Sequence, residues 1–130
     1  MTRSAQMLLR TGAVLALLGV VFGAFGAHAL KATMSAEMLA VYQTGVQYHL
    51  IHALGIVLIA IVTATQPTWK RLVLAGWLMV AGVLLFSGSL YLLAATGMRM
   101  LGVITPLGGL CFIAAWALLA FAPVRHSRGS

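Results

Sequence analysis

Apolar residues run along this chain in four long blocks, separated by short stretches that hold nearly all of its charge. The blocks cover approximately residues 12–30, 46–65, 72–95 and 102–122. Each comes near the roughly 20 residues with which an α-helix crosses about 30 Å of hydrocarbon. The second block is the least sharply bounded. No formal charge occurs from Met38 to Trp69, and Ser35 followed by Glu37 has the form of a helix start, a cap with an acid in the first turn. The segment from Ser35 to Gly45 therefore reads either as an interfacial helix or as the outer end of a long second helix. The pattern predicts an all-α fold: an integral membrane four-helix bundle with short loops, one domain over residues 1–130.

The first block also imitates a secretory signal, with Arg3 and Arg10 ahead of an apolar middle and Ala27-His28-Ala29 in the small-residue pattern of a cleavage site. The apolar run continues for a full span, so it is read as a retained helix.

Composition agrees with a membrane chain: 62% of the residues are hydrophobic and 7% charged, well outside soluble-domain usage. The balance of eight Lys and Arg against one acid, Glu37, gives a formal net charge of +7. In a soluble chain that would suggest nucleic acid. Here Arg3, Arg10, Lys70, Arg71, Arg125 and Arg128 fall in the tails and the central connection, against Lys31 and Arg99 on the other side. That asymmetry is a topology signal, and it predicts both termini inside, a multi-pass inner-membrane location, and no nucleic-acid partner. Trp69, Trp77 and Trp116 would then lie toward the cytoplasmic ends and Tyr42, Tyr48 and Tyr91 toward the outer ends, as interfacial anchors or, for some of them, core residues. Cys111, the only cysteine, reads as a small apolar residue.

Glycine supplies candidate helix contacts. In lipid, helices associate where small residues let backbones approach, and Gly19-x-x-x-Gly23 offers such a surface in the first span, with Gly76, Gly82 and Gly88 in the third.

Candidate chemistry lies in the polar residues of the spans, which concentrate in one half of the predicted membrane: His28, then Gln47, Tyr48, His49 and His52, then Ser87, Ser89 and Tyr91, then Thr105 and Pro106. Polar groups in hydrocarbon are costly unless they meet partners or a cavity, so the layering predicts an internal polar pocket binding a small ligand, a lipid or a quinone. His49 and His52, three positions apart, share a helical face that His28 could meet from the next helix. This leaves a haem or metal site on His28, His49 and His52 as one reading, and a hydrogen-bonded histidine network as another. The cofactor, if there is one, is not identifiable from these residues. Ser87 or Ser89 lacks an acid to orient a histidine base, so no catalytic residue is assigned and the reading leans away from an enzyme. Partners are the lipid bilayer and a homo-oligomer or a larger membrane complex that the chain would serve as an accessory. Oligomeric transport of a small solute or ion is a further reading, with histidine titrating in place of an absent carboxylate.

The stretches GAFGAHAL (23–30), TGVQYHLIHALG (44–55), FSGSLYLLAATG (86–97) and TPLGG (105–109) together resemble the family catalogued as domain of unknown function 423. These are small bacterial inner-membrane proteins, with a similar transmembrane protein in eukaryotes. The resemblance covers Gly12 to Ala122 and implies a four-helix membrane protein. It supplies no reaction. Within its motifs fall His28, Gln47, Tyr48, His49, His52, Ser87, Ser89, Tyr91, Thr105 and Pro106.

Overall fold

The computed structural model describes residues 1–123; Arg125, His126 and Arg128 of the tail lie outside the described residues. Helix α1 covers Arg3–His28 and starts on Thr2, whose side chain accepts the Ala5 N–H at 3.2 Å. Helix α2 covers Ala36–Thr65, where the hydrophobic pattern placed the span from residue 46. The earlier start has a local cause: Ser35 Oγ accepts the Met38 N–H at 3.2 Å, and Glu37 lies in the first turn against the positive end of the helix dipole. At about 1.5 Å per residue α2 is roughly 45 Å long, more than the hydrocarbon it crosses.

The third span is one continuous run, Lys70–Thr96, in three parts. Helix α3 covers Lys70–Gly82, a π-helical turn covers Val83–Ser87, and helix α4 covers Gly88–Thr96. It ends at Gly97, whose φ of 70° is the left-handed conformation that closes a helix without the strain a side chain would bring. Helix α5 covers Thr105–Ala120, with Pro106 in its first turn, where the missing N–H is not needed. Short 3₁₀ turns at Leu30–Ala32 and Arg99–Val103 fill the connections. Among the described residues there is no strand. All four spans are long and apolar enough to cross a membrane, as the four apolar blocks predict.

Successive spans run antiparallel. Going along α1 from Gly12 through Gly19 to Gly26 meets Ile56, Leu50 and then Tyr42 in reverse order on α2. In the same way Gly55 meets Met79 while Gly45 meets Tyr91, and Gly82 meets Phe112 while Gly108 meets Phe86. Helices α2 and α3–α4 form the centre, α1 packs chiefly on α2, and α5 packs chiefly on α3. The apolar core sits at the end of the bundle that holds the chain start: Leu8, Ile56, Ile59, Ala60, Leu72, Ala75, Met79 and Ala115 are all buried there. Leu8 fills the space over Gly76 and Phe112 the space over Gly82, so these two glycines are close contacts. Gly88 differs from the sequence expectation: no neighbouring atom lies within 4 Å of where its Cβ would be, so it makes no tight crossing.

Candidate functional site

The predicted polar site residues of the second, third and fourth spans divide into two sets, one bonded within the bundle and one facing a cleft. The interior set begins with His49, 3% exposed. Its Nε2 lies 2.7 Å from the Leu15 carbonyl oxygen and its Nδ1 lies 2.8 Å from the Tyr91 hydroxyl. The carbonyl requires an N–H, which leaves Nδ1 to accept the Tyr91 O–H. Leu15 O is open to this approach because residue 19, one turn on, is glycine; a Cβ there would meet Leu50 and the His49 ring. One heptad along α1 the device recurs. Tyr42 donates its hydroxyl to the Phe22 carbonyl at 2.5 Å, and its ring lies against Gly26 where a Cβ would be. Carbonyls 15 and 22, glycines 19 and 26, and rings 49 and 42 thus step by seven residues along both helices, which face each other in opposite directions.

Further interior bonds tie the third and fourth spans in. Ser87, fully buried, donates to the Gly45 carbonyl at 2.7 Å. Ser89 Oγ lies 2.6 Å from Thr105 Oγ1 and also donates to the Phe86 carbonyl at 2.8 Å. The rings of Phe22, Tyr42 and Tyr91 pack around this layer, with Phe22 edge-on to Tyr91 at 5.1 Å and Tyr42 tilted against it at 5.3 Å. Tyr42 and Tyr91 are thus core residues, of the two roles their sequence positions left open.

His52, 5% exposed, is satisfied by different partners. Its Nδ1 lies 2.7 Å from the Tyr48 carbonyl one turn earlier, so Nδ1 carries the hydrogen. Its Nε2 accepts the Trp116 indole N–H at 3.0 Å. Trp116 also lies against Gly55 of α2; it stands in the second half of α5, toward the end expected for it, with its indole N–H taken up by His52. Phe112 stacks on His52 with ring centroids 3.5 Å apart and planes 13° apart.

These rings form the wall of a cleft of about 550 Å³ between α2 and α5, lined by Gln47, Tyr48, Ile51, His52, Phe86, Gly109, Phe112, Ile113 and Trp116. Tyr48 lies over Phe86 at 4.5 Å and is 39% exposed. Neither the Tyr48 hydroxyl nor the Gln47 amide hydrogen-bonds to another side chain or backbone group among the described residues, and both residues are exposed. Gln47 stands about 16 Å along a helix of about 45 Å, so any hydrocarbon slab of about 30 Å held within that helix contains it.

The sequence brought His28 into the same group, and here the structure differs. His28 is exposed in the last turn of α1, nine residues and about 13 Å of rise beyond Gly19, which packs on His49. Among the described residues no three His, Cys, Asp or Glu side chains gather as a metal site. The set His28, His49 and His52 expected for a metal or haem therefore does not converge, and both ring nitrogens of His49 and of His52 are already engaged. A shared helical face was not enough to join the two buried rings: His49 points to α1 and α4, His52 to α5. Of Ser87, Ser89, Tyr91 and Thr105 only Ser89 and Thr105 bond each other; Ser87 bonds the Gly45 carbonyl and Tyr91 bonds His49, so all four are engaged within the bundle. Sequence reasoning missed the lining rings Phe86, Phe112 and Trp116, and the carbonyls of Leu15 and Phe22. The available signal was the seven-residue spacing of Gly12, Gly19 and Gly26.

Four antiparallel apolar helices locked by buried side-chain bonds define a small multi-pass membrane protein. Comparison with known proteins makes the class specific. Residues 22–109 match the family described as "Protein of unknown function (DUF423)", and the chain belongs to that family. It is 48% identical over 115 residues to the UPF0382 membrane protein YwdK of Bacillus subtilis, covering 88% of this chain and 94% of that one. To the UPF0382 inner membrane protein YgdD of Escherichia coli K12 it is 36% identical over 129 residues, covering 96% and 95%. To a UPF0382 membrane protein of Staphylococcus epidermidis it is 40% identical over 119 residues, covering 89% and 93%. No solved structure matches. The chain is thus a multi-pass inner-membrane protein whose surroundings are a lipid bilayer.

Proposed function

We propose that this protein binds a small amphipathic molecule taken from the bilayer, a quinone or a lipid with a flat polar head, in the cleft between α2 and α5. The observation that carries the reading is the contrast between Gln47 and Tyr48 and the rest of the polar layer. Every other predicted polar site residue of the second, third and fourth spans has a bond within the bundle, whereas these two present an amide and a phenol to one cleft. An amide in hydrocarbon without a partner is costly, and a ligand carbonyl or hydroxyl would satisfy it. The stacked wall of Tyr48, His52 and Phe112 suits a planar head, and Ile51 and Ile113 offer apolar surface to a tail.

Trp116 in the wall makes the reading measurable. Titrating the purified protein with a short-chain benzoquinone should quench tryptophan fluorescence saturably, and Gln47→Leu with Tyr48→Phe should raise the half-saturation about tenfold or more, the effect of losing one or two hydrogen bonds to the ligand. Solvent extraction and mass spectrometry of the wild type should recover one class of amphiphile in stoichiometric amount. Quenching that is linear and identical in the double variant, with no amphiphile recovered, would refute the reading.

Orientation belongs to the same proposal. Arg3, Arg10, Lys70 and Arg71 lie toward one end of the bundle, while Lys31, Arg99 and Glu37 lie toward the other. The excess of Lys and Arg supports the first end as cytoplasmic, with both termini inside.

A further inference from the structure

At the end of the bundle where α3 begins and α5 ends, on a different face of α5 from the cleft of the proposed function, lies a groove of about 350 Å³. Its floor is Leu72, 1% exposed, and its sides are Leu118 and the small residues Ala114 and Ala117 of α5. Those two alanines are three positions apart and so share a helix face, where their short side chains leave a trough along the outside of α5. Trp69 and Arg71 stand at its mouth, and Lys70 lines the adjoining hollow with Thr68 and Arg71. The one acidic side chain of the chain, Glu37, begins α2 at the opposite end, so neither Lys70 nor Arg71 has a carboxylate side chain to pair with.

We infer that this groove is a binding site for a phospholipid with an anionic headgroup, the phosphate held by Lys70 and Arg71 and an acyl chain laid over Leu72, Ala114 and Ala117. Both halves of that occupant are needed. A soluble anion would satisfy the cations and leave the apolar trough bare. A zwitterionic lipid would fill the trough but bring a cation of its own beside Lys70 and Arg71, with no net charge to offset theirs. A guanidinium takes a phosphate oxygen pair in a forked geometry, and the Trp69 indole suits the level where headgroup meets chain.

Native mass spectrometry of the full chain in detergent, with phosphatidylglycerol or phosphatidylcholine of matched acyl chains, tests the site. Wild type should retain phosphatidylglycerol roughly 25-fold more than phosphatidylcholine at low salt, since each of the two cations close to anionic lipid contributes about fivefold. Lys70→Gln with Arg71→Gln should bring the two lipids near parity. Arg3→Gln with Arg10→Gln removes the same charge from the same end outside the groove and should leave the preference in place. Ala114→Leu with Ala117→Leu fills the trough with both cations kept, and should lower retention of phosphatidylglycerol at least fivefold. Thermal melting confirms that each variant is folded. Three results overturn the inference: an equal loss in the Arg3 and Arg10 variant, which would make the effect a diffuse surface field; full retention in the alanine variant; or displacement of the lipid by an equal concentration of inorganic phosphate.

Discussion

Gln47 and His49 are two residues apart on α2 and face opposite ways, His49 inward with both ring nitrogens bonded and Gln47 outward to the cleft. Two residues advance an α-helix by about 200°, so the separation follows from geometry alone. The consequence is a division of labour between neighbours. Replacing His49 by Leu strands the Tyr91 hydroxyl in the interior and should cost about 1–3 kcal/mol. Replacing Gln47 by Leu removes an amide from hydrocarbon and should leave stability unchanged within about 0.5 kcal/mol, or raise it. Unfolding by titration with a denaturing detergent measures both. Equal destabilisation by the two variants would mean that Gln47 is a structural residue and would remove the basis of the ligand proposal.

Two glycines separate crossing points from plain helix. A Cβ on Gly26 would fall against the Tyr42 ring, which its bond to the Phe22 carbonyl holds in place. Gly26→Ala is therefore expected to cost about 1–3 kcal/mol through forced repacking. Gly88→Ala meets nothing within 4 Å and should be neutral or stabilising by up to about 1 kcal/mol, the helix preference of alanine. Melting temperatures in one detergent, compared across the pair, decide it. A destabilised Gly88→Ala would show that this face is occupied in the membrane.

Topology is checked by cysteine accessibility in intact cells, using a background in which Cys111 is replaced by serine. A cysteine at position 70 should be shielded from a membrane-impermeant reagent until the membrane is opened, and one at position 31 should label at once. The reverse order would turn the protein over and move Lys70 and Arg71 to the outer leaflet.

His28 should prove dispensable to the bundle. Exposed and unbonded to the other histidines, it can be replaced by Ala with a change in stability below about 0.5 kcal/mol. Added zinc should raise the melting temperature of neither the variant nor the wild type. A zinc-dependent rise that His28→Ala abolishes would restore the three-histidine site.

The four spans were legible because burial in lipid demands long apolar runs, and the sequence carries that demand residue by residue. The start of α2 was legible only as an alternative: the Ser35 cap and Glu37 were visible, but charge-free length cannot say where a helix leaves the membrane. Which residues are polar inside the membrane was also readable, while the use of each was not. Phase decides whether a side chain meets a neighbour or lipid, and His28, Gln47 and Gly88 all lie on faces that one helix read alone does not reveal. Trp116 shows the same limit in its partner. Its indole bonds His52 because α5 runs parallel to α2, a relation between elements that are far apart in sequence.

The wide turn at Val83–Ser87 makes the third span a two-faced element with a built-in offset. A π turn holds one residue more than regular helix requires, and each residue is worth about 100° of rotation. Deleting a single residue there would leave a helix still long enough to cross the bilayer and still anchored by Leu72, Ala75 and Met79. Everything beyond it would keep nearly its present phase, because the wide turn already absorbs the extra residue, and Ser89 would stay by Thr105 and Tyr91 by His49. Insertions and deletions are ordinarily absorbed in loops; here a turn inside a membrane span already holds one residue to spare, while a change of one at a regular position of that span would turn everything beyond it by about 100°.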